Sequence, residues 1–181
     1  MTLVKKTAID TIFPTPFRPP AQTLQSSKMN PEIKIYIDAD ACPVKAETYK
    51  VAARHGLKTF VVSGDIIGVP MDPMIERIIA GAGFDAADDW IAAHAGAHAI
   101  VVTADIPLAS RCIDAGATVL SPKGREFTEN AIGATLATRN LMADLREAGA
   151  VTGGPAPFSK ADRSAYLSTL ENLVVRLKRG L

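Results

Sequence analysis

Three aspartates stand where apolar runs end. Asp38 and Asp40 close the string IKIYIDAD that begins at Ile33, and Asp105 closes AIVVTAD, which begins at Ala99. Both runs read as buried strands that deliver carboxylates to the carboxyl edge of a sheet, where open α/β folds place their chemistry. If the two strands are neighbours, Asp38, Asp40 and Asp105 converge. At an effective dielectric near 20, each close pair of carboxylates repels by about 4 kcal/mol. Such a cluster calls for a positive charge, and the matching cofactor is a hard divalent cation, Mg²⁺ or Mn²⁺.

Helix capping is the competing reading. Asp is a favoured N-cap residue, so Asp38 or Asp40 could cap a helix entered at Pro43, and Asp105 one entered at Ile106. One cap per helix accounts for at most two of the three acids. Cys42 stands just before the first of these helices, where a dipole can lower a thiol pKa. A thiol nucleophile also needs a positioned base, and His55, His94 and His98 fall at or beyond the far helix ends, so Cys42 reads as structural.

The elements that must position these residues alternate. A strand at 33–37 leads to a helix at 43–55 that ends at Gly56, followed by strands at 58–62 and 74–80. Asp85 caps a helix running to Ala95, the strand at 99–103 follows, a helix spans 105–115 before Gly116, and 118–120 is a fifth strand. This β-α-β alternation predicts an α/β fold, a mostly parallel sheet with helices on both faces. After Leu120 the pattern turns helical. A long helix at 128–148 carries Ile132, Leu136, Met142 and Leu145 on one side, then comes a Gly/Pro-rich loop at 153–157. The last helix, 161–178, aligns Tyr166, Leu167, Leu170, Leu173, Val174 and Leu177. That stripe reads as packing on the parent domain, with an oligomer seam as the alternative.

The bulk numbers bound the class. A chain of 181 residues, 48% hydrophobic, fits one domain with one substantial core. Twenty basic against 19 acidic side chains give no general pull toward nucleic acid or membrane. No run approaches the roughly 20 apolar residues of a membrane span. Two widely separated cysteines suit free thiols in a reducing compartment, so a cytoplasmic location is expected. Residues 1–30 differ from the rest: Pro14, Pro16, Pro19 and Pro20, four basic residues and one acid, with no regular period. They read as a disordered or extended basic tail, or as the product of a start upstream of Met29, and the domain as 31–181.

Four strings, IYIDADACPVKAE, GFDAADDWIAAHA, VVTADIPLASRCIDAGA and TGGPAPFSKADR, resemble the signature blocks of the bacterial YaiI/YqxD family, a group of unassigned function. The likeness runs from about Ile33 to Val174. That family is in turn remotely similar to PIN-like domains, three-layer α/β folds whose active members are divalent-metal ribonucleases. The resemblance implies one acid at the end of the first strand, Asp38, one after the central strand, Asp105, and a third on an intervening helix, Asp88 or Asp89. Adjacent helical residues diverge by about 100°, so only one of the last two joins the others. The implied chemistry is metal-assisted phosphodiester cleavage with no protein nucleophile. Thr103, Lys45, Lys123, Arg125, Lys160 and Arg163 are the candidate substrate-binding residues, able to hold backbone phosphates without reading sequence.

The expectation is therefore a metal-dependent nuclease or phosphodiesterase acting on RNA or a nucleotide-like substrate. The alternatives are a non-catalytic RNA- or protein-binding module and an aspartyl-phosphate phosphatase. For the last, the Asp38 segment resembles the DxDx(T/V) start of haloacid-dehalogenase phosphatases. The order of later residues those enzymes need is missing, because no Lys lies between Ser63 and Lys123.

Overall fold

The structure, a computed structural model, describes residues 32–40, 42–81, 83, 85–134 and 157–180. Its centre is β1 (Lys34–Asp38), a strand buried on both faces. Ile35 and Ile37 point to one side and Tyr36 to the other, as a central parallel strand requires. The chain leaves β1 through α1 (Lys45–His55) to β2 (Lys58–Ser63) and then β3 (Ile75–Ile79). It returns through α2 (Ala86–His94) to β4 (Ala99–Val102), on the other flank of β1, and continues through α3 (Ile106–Asp114) to β5 (Thr118–Leu120) and β6 (Glu126–Phe127). Residues 129–134 are helical (α4), and α5 (Lys160–Lys178) follows.

The sheet order is β3-β2-β1-β4-β5-β6, parallel throughout except for the β5–β6 pair. The sixth strand goes beyond the expected five. It is a two-residue return after the turn at 121–125, too short to leave an alternating pattern in the sequence. Three layers result, the PIN-like layout. On one face, α1 and α5 enclose a core of Ile35, Ile37, Val61, Ile100, Val102 and Tyr166, and on the other α2 and α3 enclose Tyr36, Val62, Val101, Leu108 and Val119.

The helices keep the expected positions, with shifted starts. The first begins at Lys45 rather than Pro43, and Gly56 ends it at φ +64° while Leu57 N–H reaches back to the Ala52 carbonyl, a left-handed close that favours glycine. The α5 stripe is spent inside the domain: Tyr166, Leu170, Leu173 and Val174 are buried, and Tyr166 Oη meets Thr48 Oγ1 of α1 at 2.6 Å. Ser159 and Asp162 form a reciprocal capping box at its start. Of the long helix expected at 128–148, Ile132 is buried in the α2–α3 core, while Leu136, Met142 and Leu145 lie outside the described residues. Among the described residues no helix is long and apolar enough to cross a membrane.

Candidate active site at the switch point

Strand order reverses at β1. The chain builds outward to β2 and β3 on one side, then to β4 and β5 on the other, which opens a crevice beyond the carboxyl ends of β1 and β4. Asp38 is the last residue of β1 and Thr103 the first after β4. Because Ile37 pairs with Val102, the two meet at the next rung. Thr103 Oγ1 donates to Asp38 Oδ2 at 2.7 Å and accepts the Asp105 backbone N–H at 2.9 Å. Asp105 in turn caps α3, its Oδ1 accepting Leu108 N–H at 2.8 Å.

The capping alternative is thereby divided. Asp105 caps, as an Asp before Pro107 should, and also faces Asp38. Asp38 and Asp40 do not cap: Val44 holds the N-cap position of α1, with no side-chain cap. Asp85 holds that position on α2, yet its side chain makes no capping hydrogen bond either, contrary to expectation.

The electrostatics mark the convergence. Burial pushes the Asp38 carboxyl above its usual range, and the charges of Asp40 and Asp105 push it further, while the Thr103 hydroxyl and the Asp40 backbone pull it down. Asp88 is pushed up to about 6 by burial first and then by Asp38, Asp105 and Asp85, with Arg111 opposing. Asp88 is therefore the helical acid that feels the charge of Asp38 and Asp105. Asp89 instead pairs with Arg111 Nη2 at 2.7 Å, exposed to solvent. Asp40 is exposed and accepts a long bond from Gly64 N–H at 3.4 Å.

Thr103 departs from its expected part in substrate binding. It is buried, and its hydroxyl is committed to Asp38 and to the Asp105 amide, so it positions the acids. Lys45 is the first residue of α1, and its Nζ sits 2.8 Å from the carbonyl of Ala39, which lies between Asp38 and Asp40 in sequence. Arg163 pairs with Glu47 and lies over the Phe158 ring at 5.2 Å. Lys123, Arg125 and Lys160 are exposed on the β5–β6 turn and the start of α5, and the charge of Lys123 is felt by Asp162.

One buried acid was missed by the sequence reading. Glu47 is buried in the first turn of α1 with Oε2 unpartnered. Burial pushes its carboxyl up, but the Arg163 hydrogen bond, its own backbone and nearby positive charge outweigh that and hold it below the ordinary value. A buried acid in the mixed string KAETYK leaves no periodic signal. Trp90 is half-buried, packed against the α2–α3 core and stacked by His94. Burial pushes the Cys42 and Cys112 thiols up to about 11, so the dipole does not activate Cys42.

Carboxylates are hard oxygen donors, and a repelling group of them suits Mg²⁺ or Mn²⁺. Among the described residues, no three His, Cys, Asp or Glu side chains already stand as a metal-holding group. Mg²⁺ commonly keeps several waters and takes only one or two protein carboxylates together with substrate phosphate.

This geometry defines a doubly wound α/β domain with an acidic crevice at its switch point. The chain belongs to the YaiI/YqxD family: a model described as "Uncharacterized BCR, YaiI/YqxD family" matches residues 36–176. A UPF0178 protein of Rhodopseudomonas palustris strain BisB18 is 64% identical over 147 residues, covering 81% of this chain and 95% of the relative. UPF0178 proteins of Bradyrhizobium sp. strain ORS 278 and Nitrobacter winogradskyi are each 60% identical, over 81% and 82% of this chain and 90% and 94% of their own lengths. No solved structure gives a significant match.

Proposed function

We propose that the protein is a divalent-metal-dependent phosphodiesterase, a nuclease acting on RNA or a nucleotide-like substrate in the cytoplasm. What supports the reading is the Asp38–Thr103–Asp105 hydrogen-bond link at the switch point, with the Asp38 carboxyl raised by burial and by the charges of Asp40 and Asp105, and the Asp88 carboxyl raised by burial and by Asp38 and Asp105. One or two of the carboxylates of Asp38, Asp105, Asp88 and Asp40 would hold Mg²⁺ or Mn²⁺ together with a substrate phosphate. The ion's contribution when bound is Lewis acidity, offsetting charge on the phosphoryl oxygens and making water more acidic.

The protein's own groups supply position. Thr103 fixes one oxygen of Asp38 and the amide of Asp105, which sets the distance between the two strand-end acids. Lys45 places a positive charge beside them, and α2 and α3 turn their amino ends toward the same crevice, where helix dipoles favour a phosphate. Lys123, Arg125, Lys160 and Arg163 carry backbone phosphates along the outer rim. Two buried free thiols suit a reducing compartment.

A non-catalytic RNA-binding module is the second reading, favoured by the lack of a ready-made three-carboxylate group among the described residues. One experiment separates them. Full-length protein is titrated calorimetrically with Mg²⁺ and Mn²⁺ and assayed on single-stranded RNA, single-stranded DNA and a chromogenic phosphodiester. The catalytic reading expects metal binding and turnover, both lost in Asp38→Asn. Metal binding without turnover on any substrate selects the binding module, and no metal binding removes both the cofactor and the nuclease.

A further inference from the structure

Asp38 and Tyr36 are two residues apart on β1 and so share a face of the sheet, the face covered by α2 and α3. Along it, away from the acids, lies a run of rings. Tyr36 and Phe60 stack at 5.1 Å, Trp90 tilts against both at 6.1 Å, and the His94 imidazole lies flat on the Trp90 indole at 3.8 Å and 17°. Tyr36 is buried and Phe60 and Trp90 are half-buried, but His94 is exposed, so the run ends in a π-face open to solvent. His94 is pinned there by its Nδ1 contact with the Trp90 carbonyl at 2.6 Å. A shallow pocket adjoins it, lined by Glu32, Lys34, Tyr36, His94 and His98.

We propose that the Trp90–His94 stack and this adjoining pocket seat a base of a single-stranded nucleic acid whose backbone runs to the acidic crevice. The inference rests on the phosphodiesterase reading and names the form of its substrate. Asp88 and His94 lie on one helix, six residues or about 9 Å apart along its axis, and the pocket lies at the amino ends of β1 and β4, with Lys34 four residues or about 13 Å from Asp38 along β1, so a strand of a few nucleotides would join the two. A flat imidazole on a flat indole matches the π-face that every base shares, which gives affinity without sequence preference. The lysines beside the stack are already paired, Lys58 with Glu76 at 3.0 Å and Lys34 with Glu32 at 3.9 Å. Attraction at this subsite therefore comes from stacking and varies little with salt.

Trp90 is the chain's one tryptophan, so its emission reports on the subsite directly. Full-length protein in EDTA is titrated with a ten-nucleotide oligo(dT), an oligo(U) of the same length and a ten-base-pair duplex. Saturable quenching by the single strands but not the duplex is expected. His94→Ala, an exposed substitution, should weaken single-strand binding about 5- to 20-fold, by the same factor at low and high salt. Trp90→Leu, read by anisotropy of a labelled oligonucleotide after circular dichroism confirms the fold, should weaken it by at least as much. Equal quenching by duplex, no quenching, or unchanged affinity in His94→Ala overturns the proposal. Failure of the catalytic reading looks different: quenching persists, in the parent protein and in Asp38→Asn alike, without turnover. Turnover with no quenching sinks the base subsite alone.

Discussion

Thr103 ties Asp38 to Asp105: its hydroxyl donates to the Asp38 carboxylate at 2.7 Å and accepts the amide of Asp105 at 2.9 Å. The side chain is buried, so water cannot replace either bond. Thr103→Val keeps the shape and removes both, leaving the Asp105 amide without a partner and an already raised carboxyl with only the Asp40 backbone to hold it. A loss of about 1–3 kcal/mol in stability is expected, with a further rise in the Asp38 pKa. If the crevice is catalytic, turnover falls through kcat rather than KM, and Thr103→Ser restores most of it. Chemical denaturation and carboxyl NMR check the first two expectations, and steady-state kinetics the third.

Asp88 is held against like charge. Its carboxyl titrates near 6 in the fold against an ordinary 3.8, so the folded state binds the proton more tightly than the unfolded chain does. The stability from this group is fully present below 3.8 and is lost as pH rises through about 6. Asp88→Asn therefore matches the parent protein at acid pH and becomes the more stable of the two above neutrality. The gap in Tm should open between about pH 4 and pH 7 and narrow again when Mg²⁺ is added to the parent protein. A gap independent of pH would contradict the convergence of Asp88 with Asp38 and Asp105.

The strand-end acids were legible because a buried apolar run fixes where its last residue emerges, and Asp38 and Asp105 each follow such a run. The choice between Asp88 and Asp89 was not, since it depends on how α2 is rotated against β1 and on Arg111 arriving from α3. Thr103 gave the same sequence signal as a substrate contact. Only the β1–β4 register shows that its hydroxyl is spent inside the protein. Glu47 was out of reach for a similar reason: its burial is created by α5, more than a hundred residues away.

Glu47 and Arg163 join the first turns of α1 and α5. The acid is buried and the guanidinium partly exposed, so Arg163→Met strands a buried carboxylate while giving up little solvation of its own. The expected loss is about 2 kcal/mol, less than for a pair buried on both sides. Adding Glu47→Gln should recover most of it, because a neutral amide tolerates the site better than an unpaired charge. Double-mutant denaturation measures the coupling. If Arg163 also carries substrate phosphate, the double variant regains its stability but keeps a raised KM.

Gly124 sits in the turn between β5 and β6, pressed against the backbone of α5. Its φ is +78°, and a Cβ built there would lie 2.6 Å from both Ala165 C and Tyr166 N. Neither neighbour is a side chain that can swing aside, and Tyr166 is locked into the core by its bond to Thr48. Gly124→Ala must therefore pay left-handed strain and also push α5 off the turn, breaking the bond from Thr169 Oγ1 to the Gly124 carbonyl at 3.0 Å. A loss of about 3 kcal/mol is expected, seen as a fall of about 6–12 °C in Tm for a domain of this size. Gly68, with open space where its Cβ would stand, is the control, and Gly68→Ala should change stability by less than about 0.5 kcal/mol. Because the same turn carries Lys123 and Arg125, any residual Gly124→Ala protein that still folds should also bind single-stranded RNA more weakly and with a shallower salt dependence.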